Sequence, residues 1–547
     1  MKCRQTMKTL PVLVMVACVS LPISNISVSG NLQTTGPSFS PGVVIAVACS
    51  DPYPTLGEPV ALVLTLEGNA ADRFNESVDV TDAFHGSTAV DDAVVQVSGN
   101  VMISKSTMTI GRLPAYRESI SWYPSVVGSH RFQIQAGASS EYDYNMNVSF
   151  DVQGIIAPSF GCPSIIRKDA MQDLSVTIAE NRNISDAPTQ LQKVKLEAVD
   201  GSAWYPLDDQ TSLQSTQIAT STERVQDELT AGYSIISIPY GFYNLSVTTT
   251  KGTYTWPHAV KIMKSDPTTF SILQFTDIHI GKYADPVNKK RELLHLIAYA
   301  NEHLHPDFLI ISGDSVDWYN VRCRRNVLLD LRETLLTSTV PVFIVPGNHE
   351  RYGNPLGLLY YPFTNLTPYH RFLNPLNDYS FHYGSMNFVF LDSGYDYSRW
   401  EITRLWNTTP EATGLTNTQM YLLETVWGDK GLHQIITMHH PVVYDKNDSG
   451  PGAVPNNLTS GNDQCIAFNR GAFISYCISH NVSLVLAGHT HESHVFNSEG
   501  KVEPENSTAW PLFIQTRSST LSEKENGGRV IELVNGAVES CNYLAFP

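Results

Sequence analysis

Ser271-Ile-Leu-Gln-Phe-Thr-Asp-Ile-His279 is an apolar run that closes on an acid and an imidazole two positions apart. Four later stretches repeat the design. Phe308-Leu-Ile-Ile311 leads into Gly313-Asp314, and Val342-Phe-Ile-Val345 into Gly347-Asn348-His349-Glu350. Ile435-Ile-Thr-Met438 leads into His439-His440-Pro441, and Leu484-Val-Leu-Ala487 into Gly488-His489-Thr490-His491. Short apolar runs bounded by turn residues read as buried strands. The carboxyl ends of strands in an α/β sheet converge on one crevice, so residues as distant as Asp277 and His491 can serve one site. Taken singly, an Asp or His at a strand end is an ordinary cap. Together these blocks offer two carboxylates, an amide oxygen and several imidazoles, the donor mix that holds a pair of divalent metals.

In this order the blocks read D-x-H, G-D, G-N-H-E, H-x-P and G-H-x-H, a pattern that resembles the calcineurin-like metallophosphoesterase family over about residues 267–547. The resemblance implies a four-layer αββα sandwich and two adjoining metal sites. It gives Asp277, His279 and His491 to the first metal and Asn348, His439 and His489 to the second, with Asp314 bridging them. A carboxylate has two oxygens and lone pairs enough for that task. His349 is implied to face the substrate, where it would protonate the leaving oxygen or stabilise charge. The implied reaction is attack of activated water, in line, on a phosphomonoester or phosphodiester. The H-x-P spacing selects His439, which leaves His440 as a packing or supporting residue. Asp317 and Glu350 either orient the ligands or cap the segments that follow.

The resemblance also excludes a subtype. Purple acid phosphatases carry D-x-G in the first block and G-D-x-x-Y in the second. Here His279 and Asp317 stand at those positions, so no tyrosinate-ligated ferric site is expected. The D-x-H form leaves cyclic-nucleotide phosphodiesterases and sphingomyelinase-like enzymes as alternatives to a phosphatase. Mixed nitrogen and oxygen ligation suits Zn, Fe and Mn alike. A reading from another class is a cell-surface binding protein whose phosphoesterase domain is only a scaffold; seven intact ligand positions argue against it.

Met1–Lys8 is basic and Thr9–Ile23 is apolar or small, the plan of a secretory signal and too short for a membrane span. No later stretch reaches the ~20 apolar residues a transmembrane helix needs. Eleven Asn-x-Ser/Thr sequons, at Asn25, Asn75, Asn147, Asn183, Asn244, Asn365, Asn407, Asn447, Asn457, Asn481 and Asn506, fit an exported glycoprotein. Cys49, Cys162, Cys323, Cys465, Cys477 and Cys541 lie beyond the signal, an even set that permits disulfides in an oxidising compartment. Proximity suggests Cys465–Cys477. The expected location is secreted or at the cell surface. A formal net charge of −17 argues against a nucleic-acid-binding surface, though not against a small phosphoester substrate beside two dications.

The 547 residues suggest several domains. We expect a signal at 1–29, a Ser/Thr/Gly/Pro linker at 30–42 and the phosphoesterase domain at 266–547. Short alternating runs such as Val60–Leu66 and His130–Gln135 predict an immunoglobulin-like β-sandwich over 43–155. A similar texture predicts a second over 156–265. These front modules would act as a spacer or attach the enzyme to the cell surface. Helical spacing appears over Asn288–His303, Arg325–Leu336, Thr418–Trp427 and Asn469–His480, and Leu512–Gln515 and Arg529–Leu533 are expected as strands of the second catalytic sheet. Aromatic-rich loops at Arg351–Asp378 and Tyr395–Trp400, and the Gly/Pro/Asn-rich loop Tyr444–Gln464, are the candidate pocket walls.

Overall fold

The computed structural model describes residues 38–39, 43–49, 51–58, 60–67, 77–90, 93–107, 115–136, 140–281, 286–317, 324–351, 366–394, 414–428, 431–443, 465–466, 468–505, 507, 510–520 and 525–546. The signal, Cys323, seven of the sequons (Asn25, Asn75, Asn365, Asn407, Asn447, Asn457 and Asn506) and most of the three loops fall outside these residues.

In the C-terminal half, two sheets lie face to face. The first runs in the order Val342–Val345, Phe308–Ser312, Thr269–Phe275, Gly527–Val534 and Ala537–Ala545. Its first three strands are parallel and the last two antiparallel. The second contains His494–Phe496, Leu512–Gln515, Val482–Ala487, His433–Thr437, Met386–Phe390 and Tyr379–Tyr383. Aromatics fill the space between them: Phe343 stacks on Phe381 at 4.0 Å, and Phe308 meets Phe388 edge-on at 5.2 Å. Strands covered on both faces carry continuous apolar runs, which is why the runs quoted above barely alternate.

Helices cover the outer faces. Pro286–Tyr299 and Arg324–Leu335 press Leu293, Leu296, Leu328 and Leu331 onto Leu273, Leu309 and Ile344 of the first sheet. Asn417–Leu422 and Arg470–Ser479 press Leu422, Phe473 and Tyr476 onto Ile436, Val485 and Phe513 of the second. Helix, sheet, sheet and helix make the expected αββα layers. Gly527–Val534, expected in the second sheet, belongs to the first. Ile531 and Leu533 pair alongside Ile272 and Phe270 and enter the core between the sheets. Among the described residues no helix is long and apolar enough to cross a membrane.

The front half is β throughout its described length. Ser38–Phe39, inside the expected linker, pairs with Val43–Val44. The sheet Ser38–Phe39, Val43–Cys49, Val60–Glu67 and Ala115–Trp122 packs Val47, Leu62, Leu64 and Trp122 against Val80, Phe132 and Ile134 of a facing sheet. From Gly154 to Met263 two further sheets enclose Val176, Ile178, Leu196, Leu245 and Val260. The halves are joined through hydrogen-bonded strands. Ala89 and Val90, ending the strand Ser77–Val90, pair in parallel with Tyr379 and Ser380, so the second sheet continues into the front sandwich through Val127–Ala136 and Ser140–Val148. Gly161, in the second front module, accepts the Ile344 N–H at 2.9 Å.

Cys477 is a buried free thiol, so the Cys465–Cys477 bridge is not formed. Its side chain packs with Phe473 and Leu423, and full burial holds its pKa well above the usual thiol range.

Candidate metal centre

All five polar blocks stand just past the carboxyl ends of their strands, three from the first sheet and two from the second. The backbone at this seam is unusual. Asp277, His279, Asp314, His489 and His491 all have positive φ, from 49° to 69°. Non-glycine residues in this region cost on the order of 1–3 kcal/mol each and gather at functional sites. The conformations are pinned by cross-strand bonds: Asp277 N–H donates to Gly313 C=O at 3.2 Å and His279 N–H to Asp314 C=O at 3.0 Å. The motif glycines answer a different demand. A Cβ on Gly347 would strike the Asp314 carboxylate, and one on Gly488 would strike Thr276 Oγ1 and Asp277 Oδ2.

The side chains converge in two sets. In the first, His491 Nε2 lies 3.2 Å from Asp277 Oδ1 and 3.1 Å from His279 Nε2. Asp277 Oδ2 is held by the N–H of His489 at 2.9 Å and the hydroxyl of Thr276 at 2.8 Å. In the second, His439 Nδ1–H donates to Ser312 C=O at 2.9 Å, turning Nε2 inward to within 2.9 Å of Asn348 Oδ1. The His489 ring packs 5.2 Å from that of His439. Asp314 stands between the sets, with Oδ1 3.3 Å from His439 Nε2 and Oδ2 4.0 Å from His279 Nε2. The seven residues expected as ligands are therefore brought together.

Whether this cluster suits cations can be judged from its own atoms. Asp277 Oδ1 is buried yet receives no well-aligned hydrogen bond. Two imidazole Nε2 atoms face each other beside it. Burial penalises an unsatisfied carboxylate oxygen, and a divalent ion among these donors would remove the penalty. Protonation tells the same story. Burial opposes ionisation of Asp277, but the close approach of the His491 imidazole carries its pKa down to about 2. Burial likewise opposes ionised Asp314, and the charges of His349 and His439 hold it well below the usual carboxylate range. Burial lowers His279 to about 4, leaving it neutral, as a ligand must be. His439 rises to about 10 because Asp314 outweighs its burial, so a cation would displace its proton.

The remaining histidines differ. His349 lies with Nε2 3.7 Å from Asp314 Oδ2 and Nδ1 3.5 Å from Asp317 Oδ1. Burial works against its charge, yet Asp314 and then Asp317 raise its pKa to about 9. His440 is wholly buried, and its Nδ1 and N–H both meet Ser393 Oγ, at 2.8 and 3.0 Å. Its ring packs at a tilt, 4.4 Å from that of His489, so it supports the second set.

Glu350 orients the motif loops. Its carboxylate accepts the N–H groups of Asp314, Ser315, Val316 and Gly347 at 2.6 to 3.2 Å. Sequence reading missed its neighbour Arg351, a fully buried guanidinium that pairs with Asp392 and donates to Tyr123 Oη at 2.9 Å. Position immediately after the third block was the available signal. Nothing in the sequence marks Asp392 or Tyr123.

The Calcineurin-like phosphoesterase family model matches residues 270–493, a span that holds all five blocks. No curated protein matches the sequence. Among solved structures, the chain is similar to a purple acid phosphatase from yellow lupin (Lupinus luteus) at 11% identity and TM-score 0.35, covering 91% of this chain and 95% of that one. It is similar to an amylomaltase from Corynebacterium glutamicum at 13% identity and TM-score 0.16, covering 30% and 21%. Titin immunoglobulin tandem domains match at 11% identity and TM-score 0.18, covering 39% of this chain and 91% of that one. At these scores the likenesses carry no argument. The match over residues 270–493 gives the C-terminal half of the chain a calcineurin-like metallophosphoesterase domain, that of a metal-dependent phosphoesterase.

Proposed function

We propose that the protein is an exported phosphoester hydrolase with a dinuclear centre. Asp277, His279 and His491 would hold one divalent ion, Asn348, His439 and His489 the other, and Asp314 would bridge them. One observation carries this reading: the two oxygens of Asp314 face two separate donor sets, 3.3 Å from His439 and 4.0 Å from His279. Bound there, two cations supply Lewis-acid polarisation of a phosphoryl oxygen and a lowered pKa for water. The protein's own groups do the rest. Ser312 C=O fixes the tautomer of His439, and the Glu350 loop clasp fixes Asp314. His349, partly exposed and beside Asp317, holds a proton at neutral pH that it can pass to a leaving oxygen. Cations would offset the pull of Asp314, but Asp317 still favours the protonated ring.

Metal analysis of the purified chain should find about two transition-metal ions, and chelation should abolish hydrolysis of p-nitrophenyl phosphate. A metal-free protein with full activity would remove the assignment. Comparison with bis(p-nitrophenyl) phosphate decides between monoester and diester chemistry. Export rests on the basic and apolar start and the sequons, of which Asn183 and Asn481 are exposed. N-terminal sequencing of the mature protein, beginning beyond Ile23, would support it.

A further inference from the structure

We infer that the front sandwich is a working part of the hydrolase, because its Tyr123 positions the turn that carries Asn348 and His349. This rests on the site assignment above and extends it to a residue far outside the family match. Tyr123 lies between the front strands Ala115–Trp122 and Val127–Ala136. Its segment is clamped on both sides: Pro124 C=O accepts the Gly57 N–H at 3.0 Å, and Ser125 Oγ meets Thr416 Oγ1 of the catalytic half at 3.1 Å.

From there the contacts lead into the site in two directions. Tyr123 Oη accepts from Arg351 Nη1 at 2.9 Å, and the guanidinium carbon sits 6.0 Å from the tyrosine ring centre. Arg351 ends the Gly347–Arg351 turn, closed by its own N–H donating to Asn348 C=O at 3.1 Å. The same guanidinium pairs with Asp392. Asp392 is itself fixed by its N–H to Asp378 Oδ1 at 2.7 Å, and the next residue, Ser393, binds His440. One buried cation thus ties the turn bearing Asn348 and His349 to the segment bracing His440. Its third anchor comes from the other half of the molecule. A buried guanidinium deprived of one acceptor shifts to find another, and a small displacement of positioned groups costs rate steeply.

Tyr123→Phe in the full-length, metal-loaded enzyme removes only the hydroxyl. We expect kcat for p-nitrophenyl phosphate to fall roughly tenfold to a hundredfold, with little change in KM. Arg351→Lys should lose a similar amount, and the double variant little more than either alone. Tyr421→Phe is the control. Its hydroxyl also crosses between the halves, to Ser98 C=O at 3.2 Å, but away from the turn, and kcat should hold. If Tyr123→Phe lowers the melting temperature while kcat per folded enzyme stays at the wild-type value, the tyrosine is merely structural and the inference fails. Additive losses in the double variant would also overturn it. Failure of the site assignment looks different: the wild-type protein itself would bind no metal and hydrolyse neither ester.

Discussion

Glu350 and Asp314 are two buried carboxylates whose backbone and side chains interlock, the Glu350 carboxylate accepting the Asp314 N–H at 3.0 Å. Burial and then the charge of Asp314 push the Glu350 pKa up, and four N–H donors hold the group in place. Glu350→Gln would turn an NH2 group toward donors. The expected result is a loss of stability on the order of 1–3 kcal/mol together with lower metal occupancy, read by thermal denaturation and elemental analysis.

His349→Ala should lower kcat by ~10²–10⁴-fold with metal content near normal, while Asp314→Ala should lose metal. Esters with very acidic leaving groups should suffer least from the histidine change, since their alkoxide equivalents need no proton. A plot of kcat against leaving-group pKa for both proteins checks this. Metal loss in His349→Ala would make that residue a ligand.

Gly488→Ala tests the close approach beneath the first donor set. The added methyl would meet Thr276 Oγ1 and Asp277 Oδ2, so Asp277 must turn from its place. Metal stoichiometry should fall toward one per chain while the fold, followed by circular dichroism, persists. An unchanged stoichiometry would show that the strand end yields instead.

Asp378 gives a pH dependence away from the metals. Its buried Oδ1 accepts from the Asp392 N–H and from Gln419 Nε2, both at 2.7 Å. Burial, and then the charge of Asp392, raises its pKa from 3.8 to about 8. The folded chain keeps a proton that the unfolded chain releases, so this contribution is complete below the unfolded pKa and lost as pH rises through about 8. Asp378→Asn keeps the carbonyl acceptor without the titration. Its urea midpoint should gain on the wild-type value as pH climbs from about 5 to about 8; parallel curves would exclude the effect.

Much of the catalytic layering could be read from the sequence because each polar block ends an apolar run, and a buried strand announces itself by that run. The donor set was readable for the same reason. What escaped depends on partners distant in the chain. Alternation in Arg529–Leu533 tells which face is buried but not that Thr269–Phe275 lies alongside. Nothing about Asp277 or His279 as residue types discloses a left-handed backbone, since the bonds imposing it go to Gly313 and Asp314. The pairing of Tyr379–Ser380 with Ala89–Val90 was equally hidden, for neither pair differs from any other strand residue. Arg351 went unnoticed because its meaning lies in Asp392 and Tyr123.

The shared sheet has a consequence for how the chain is made and divided. Residues 77–90 emerge from the ribosome long before Tyr379–Tyr383, so the front module is available as a template against which the later strand can dock. A chain cut at residue 265 loses that template. Tyr379 and Ser380 would then lose Ala89 and Val90 as strand partners, lengthening an open edge of the kind that recruits other chains into aggregates. Dissecting this protein at its apparent domain boundary would thus uncover strand groups that the intact chain keeps paired.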